Sequence, residues 1–191
     1  MTTRHDIITL PHADLRIKSS RVHVITDDTL ALIQDMKDAA LDWEDSRPHE
    51  IAVALAAVQI DRLERVVIVR SDFENKDNRD FTILINPEIV KREGEVITDH
   101  EGCLSVKNVY GAVPRHDKIR LKAIDESGQE VRARAEGFLS RVLQHEIDHT
   151  NGICFVDHID DKKDAFFILT DAGELEATDY ESVKAAGIFR D

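Results

Sequence analysis

Glycine is missing from nearly the whole first half of the chain: the first is Gly94, and only 8 occur among 191 residues. That half must make its turns without the residue that most readily takes a positive φ. Cysteine is almost as scarce, and Cys103 and Cys154 alone make no disulfide framework in a chain this long. Positive charge is short as well. With 25 Lys+Arg against 38 Asp+Glu the net charge is −13, which argues against direct nucleic-acid binding, since phosphate contacts need clustered Lys and Arg. No run approaches the roughly 18 uninterrupted apolar residues of a membrane-spanning helix. The opening residues hold no apolar stretch long enough for a secretory signal. What is present, 42% hydrophobic and 33% charged residues, suffices for one packed core and excludes disorder of the whole chain. Together these features predict a soluble, cytoplasmic protein with a single domain over 1–191 and no membrane partner.

Hydrophobic periodicity divides the chain into elements. Residues 1–25 read as an extended arm. Thr26-Asp27-Asp28 offers a helix cap, and Leu30, Ile33, Met36, Ala40 and Trp43 follow at helical spacing, predicting a helix over 27–43. Strand-like runs follow at 51–60, 65–70, 81–85 and 89–98, with a polar loop at 71–80. Residues 119–124 and 131–135 alternate apolar and polar around Asp125-Glu126-Ser127-Gly128, which reads as a hairpin. Leu139, Leu143 and Ile147, four apart, predict a second helix over 138–149 that stops at Asn151-Gly152. A short helix is expected near 162–169. Many strands with two main helices point to an α+β fold.

The second helix carries His145-Glu146-Ile147-Asp148-His149, the pattern H-E-x-x-H. Residues four apart sit one turn above each other, so both imidazoles leave the same face and can meet one divalent cation. Glu146 stands where its carboxylate can reach an attacking water without binding the metal. Three sources of a third ligand stay open: Glu174 or Glu176, as in a zinc-dependent peptidase; His158, whose plainer role is a solvated loop histidine; and Cys103, within Glu101-Gly102-Cys103-Leu104-Ser105. One thiolate and two imidazoles leave a fourth position for solvent, the arrangement of a catalytic site. Cys154 reads as a small buried residue.

Glu101-Gly102-Cys103-Leu104-Ser105 and Gln144-His145-Glu146-Ile147-Asp148-His149 resemble two of the three signatures of peptide deformylases, and Ala52-Val53-Ala54-Leu55-Ala56-Ala57-Val58-Gln59 resembles the third. The resemblance implies bent antiparallel β-sheets packed around a central metal-binding α-helix, with an N-terminal helix. It also implies one divalent ion, Fe2+ in preference to Zn2+, held by Cys103, His145 and His149. Glu146 is then the general acid–base, with Gln59 and the Leu104 backbone N–H holding the oxyanion. The implied reaction is hydrolysis of the N-formyl group from the N-terminal formylmethionine of newly made peptides, releasing formate. Glu101 and Arg115 are expected to pair and brace the metal loop. The peptide is expected to add as a strand beside Ala52, Val53, Ala54 and Gly102, with Tyr110, Phe138 and the aliphatic stem of Arg141 shaping an apolar pocket. A relative that has lost activity and only binds peptide N-termini is the alternative.

The sequence departs from that pattern where both glycines of the first signature are alanines, Ala52 and Ala54. With ordinary β dihedrals the Ala54 methyl only takes up space; a positive φ would strain it by ~1–2 kcal/mol. Residues 160–191 carry four basic residues against nine acidic ones, so no RNA-docking basic helix is expected there, only a solvated and partly mobile end.

Overall fold

The computed structural model describes residues 2–47, 50–170 and 173–190. The extended arm expected at the N-terminus instead holds two 3-10 turns, Arg4–Asp6 and Ala13–Arg16, and the second buries Leu15. Helix α1 (Asp27–Asp45) follows, with the Thr26 hydroxyl accepting from the Thr29 N–H at 3.4 Å. Its buried stripe is Leu32, Ile33, Met36, Ala39 and Ala40, while Leu30 faces solvent. Ile33, Met36 and Ala40 keep the expected face, and Leu30 at its start falls outside it.

Strands β1 (Ala54–Ala56), β2 (Val66–Arg70), β3 (Phe81–Cys103), β4 (Val106–Ile124) and β5 (Glu130–Glu136) form an antiparallel succession. The long run expected at 51–60 is only three residues of strand, because Ala57–Ile60 closes into a 3-10 turn. Strands β3 and β4 pair over almost their whole length, and four register shifts bend them. Helix α2 (Gly137–His149) is buried from Ser140 through His149, so it forms the centre of the molecule and not a surface layer. Gly152 ends it at φ +72°, where a Cβ would lie 2.5 Å from the Arg16 carbonyl oxygen.

The C-terminal segment departs most from expectation. Residues 166–169 form a strand, β6, not a helix, and β7 (Leu175–Ala177) pairs with it. β6 docks on β4 through Tyr110–Phe167 and Gly111–Phe166; an open sheet edge captures the β-prone Phe-Phe-Ile-Leu run before it can coil. Helix α3 (Tyr180–Ala185) buries Val183, and Val183, Ile188 and Phe166 share one apolar cluster with Leu15, Val113 and Phe155. Through these residues the described part of the tail is packed against the body, where a solvated end was expected. The result is an α+β fold with one seven-stranded sheet, ordered β1-β2-β3-β4-β6-β7 with β5 also on β4.

Candidate metal centre and cleft

Helix α2 and the tight turn between β3 and β4 meet at the floor of a cleft of about 280 Å³. Cys103 ends β3, and His145 and His149 rise one turn apart from α2. Cys103 Sγ lies 3.2 Å from His149 Nε2, which lies 3.1 Å from His145 Nε2. All three ligand atoms fall within 4.8 Å of one another. His145 Nδ1 is 2.9 Å from Glu101 Oε2, which holds the ring so that Nε2 faces the other two atoms. Three electron-rich atoms converging in a buried place fit a borderline-soft divalent cation. Glu174 and Glu176, the rival ligands, are exposed and belong to no such group among the described residues.

Glu146 stands beside this cluster, and its Oε2 is buried without a hydrogen-bond partner. Burial pushes its carboxyl up to about 7. Glu101 shows the opposite balance. Burial works to raise it, but hydrogen bonds and charge from His145 and Arg115 hold it well below the usual carboxylate range. Arg115 bonds both Glu101 oxygens, at 2.9 and 3.0 Å, and also reaches Asp148, whose Oδ2 lies 2.7 Å from His158 Nε2. His158 is thus tied into this network and is not a free loop histidine. Burial and the neighbouring His145 pull the His149 imidazole well below its ordinary value.

The other residues expected at the site are distributed as follows. Gln59 sits in the 3-10 turn after β1, its Oε1 accepting from the Ala56 N–H at 2.9 Å. Its Nε2 donates to Ser105 Oγ at 3.1 Å and points at Cys103 Sγ from 3.6 Å. Ser105 thereby orients the amide, and its own N–H lies 3.4 Å from the same sulfur. Leu104, Gly102, Tyr110, Phe138, Val53 and Ala54 line the cleft. Ala52 does not: it is fully buried, and its N–H donates to Glu44 Oε2 at 3.0 Å. Ala54 belongs to a regular strand and is not among the residues with positive φ, so its methyl only takes up space. Gly102 is required by contact, since a Cβ there would lie 2.5 Å from the Tyr110 ring. Arg141 borders the cleft, but its guanidinium turns inward to Glu101 Oε1 at 2.8 Å and to the Val113 and Ile97 carbonyls at 2.7 Å each. Two buried residues escaped the sequence reading. Arg70 and Glu44 form an ion pair at 2.8 Å with both side chains nearly inaccessible, and no motif marks it.

A family model described as polypeptide deformylase matches residues 4–165. The chain belongs to the polypeptide deformylase family. Among its relatives, a peptide deformylase of Thermomicrobium roseum is 39% identical over 85% of this chain and 89% of its own length. One of Halothermothrix orenii is 42% identical over 76% of this chain and 86% of its own. Solved deformylases share the fold. One from Synechococcus elongatus, in complex with actinonin, aligns with a TM-score of 0.72 at 31% identity over 80% of this chain and 78% of that one. One from Legionella pneumophila aligns with a TM-score of 0.70 at 37% identity, over 80% and 83%. The polypeptide deformylases are metal-dependent hydrolases, and the cysteine–histidine cluster of this chain offers such an ion a place.

Proposed function

We infer that this chain is a cytoplasmic, single-domain deformylase that hydrolyses the N-formyl group from formylmethionine at the start of newly made peptides, releasing formate. The observation that carries the reading is the convergence of Cys103, His145 and His149 beside the unpartnered carboxylate of Glu146. Those three side chains would hold the ion, with Fe2+ favoured and Zn2+ accommodated. Bound there, it supplies Lewis acidity and lowers the pKa of water so that a nucleophile exists at neutral pH.

The chain's own groups do the rest. Glu146 accepts the proton of the attacking water at Oε2 and returns it to the departing amine, so that amide and water become formate and a free N-terminus. Gln59 Nε2, aimed by Ser105, and the Leu104 N–H donate to the oxygen of the formyl group as it gains charge. Glu101 and Arg115 keep the His145 ring in place. β1 is the edge strand of the sheet, so an extended peptide can pair beside Val53 and Ala54 while its methionine side chain enters the pocket walled by Tyr110, Phe138 and the Arg141 stem. No described helix is long and apolar enough to cross a membrane.

The test is formate release from a formyl-Met peptide by Fe2+-loaded protein under anaerobic conditions, with Glu146→Ala as control. Turnover well above that control is expected. Metal bound without turnover above it would favour a silent binder of peptide N-termini, and metal retained by Cys103→Ala would remove the ligand assignment.

A further inference from the structure

A second hollow, of about 380 Å³, opens at the C-terminal end of α2. Ile147 borders it, and on a helix that residue points away from His145 and His149 two positions to either side. In a chain of net charge −13 this hollow is ringed by Lys18, Arg21, Arg65 and Arg92. Arg65 is 8% exposed, and its three bonds go to neutral acceptors: the Pro87 carbonyl at 3.0 Å, the Thr150 carbonyl at 3.1 Å and Asn151 Oδ1 at 2.9 Å. A nearly buried guanidinium that bonds no carboxylate, with only the charge of Glu88 at the rim acting on it, leaves room for a further anion.

Lys18, Arg21 and Arg92 make no ion pair among the described residues, whereas most other cations of this acidic chain do. Glu88, the acid at the rim, is paired with Lys122 at 3.1 Å. Ser19 also lines the hollow, is 5% exposed, and its buried hydroxyl has no partner. The Thr150 carbonyl at the negative end of α2 is covered by the Ser19 N–H at 2.9 Å and by Arg65, so that end of the helix does not repel an anion.

We propose that the hollow bounded by Lys18, Ser19, Arg21, Arg65 and Arg92 binds a phosphate dianion, free or carried by a small ester. Four cations exceed what one carboxylate would neutralise, and a phosphate brings enough acceptor oxygens for the guanidinium forks and the Ser19 hydroxyl. The space exceeds that of the bare ion and leaves room for an attached organic group.

The experiment titrates zinc-loaded, isotope-labelled full chain at near-physiological salt with inorganic phosphate and, separately, with adenosine monophosphate, reading backbone amide shifts. Saturable shifts at Ser19, Arg65 and Asn151 are expected, weakened about tenfold or more in Arg21→Gln/Arg92→Gln, with formate release by that variant unchanged. Tighter binding of the ester assigns the organic group to the site; equal binding assigns it to the free ion. The proposal falls if neither probe saturates by roughly 10 mM, if the variant binds as the parent does, or if the shifts centre on Cys103 and His145. It also falls if only long polyanions bind and added salt abolishes it.

Discussion

Along α2 and the β3–β4 turn, one wall of the cleft buries Glu101, Arg115, Arg141, His145, Asp148 and His149 together, tied to one another by side-chain contacts, with the unpartnered Glu146 among them. Along residues 50–56 the facing wall presents Ile51, Val53 and Ala54, and its order comes from main-chain bonds: Ala52 N–H to Glu44, and Arg70 N–H to the Val53 carbonyl at 2.7 Å. On the first wall residue type is fixed by charge pairing and, on the proposed function, by the reaction. On the second the backbone does the positioning, so side chains are free to vary within the space available. This difference explains why two alanines can stand where glycines are usual without disturbing the metal cluster opposite.

The sharpest way to test that contrast is Glu146→Gln. Formate release should fall by about 10²–10⁴-fold, while the metal-free protein becomes more stable at alkaline pH. The folded-state value of Glu146 is about 7 against an ordinary 4.5. Its contribution to stability is therefore intact below 4.5 and lost as pH rises through 7, on the order of 3 kcal/mol. Denaturant titrations of the metal-free protein at pH 5 and pH 8 should show the parent losing stability over that interval and the variant losing much less.

The next effect falls on the facing wall. Arg70→Met leaves Glu44 buried and unpaired and should cost about 3–5 kcal/mol, and adding Glu44→Leu should recover most of it. If the backbone of this wall positions the peptide, the single variant raises KM more than it lowers kcat. A fall in kcat alone would break the comparison.

A smaller effect is expected from Glu101→Gln, seen in the slope of stability against pH. Because Glu101 is held below its ordinary 4.5, its contribution is present above that value and fades as pH falls toward the folded-state one. The variant should flatten acid unfolding of the metal-free protein below pH 4.5. The smallest change belongs to Ala54→Gly, costing about 0.5–1 kcal/mol through backbone entropy and leaving kcat nearly unchanged. A large gain in kcat/KM would show that the methyl obstructs the peptide.

The sequence revealed these two walls unequally. H-E-x-x-H was readable because metal chemistry dictates residue type and spacing together, whereas Cys103 was one of several candidate third ligands until the resemblance singled it out. The pairing of Glu101 with Arg115 followed from resemblance. Ser105 and the Glu44–Arg70 pair did not, since each acts through a contact between distant segments that no local pattern encodes. Other departures have the same origin: residues 166–169 form a strand because β4 offers them an edge, and Leu30 turns outward although Ile33, Met36 and Ala40 keep the periodic face.

The region matched by the family ends at residue 165, one position before the strand that closes the sheet against Tyr110 and Gly111. A chain cut at that boundary would keep each reactive group yet bare Phe155, Val113 and Leu15, which Phe166, Val183 and Ile188 now roof. The matched region therefore stops short of the packed one, and an expression boundary drawn at residue 165 would yield a protein prone to stick to itself.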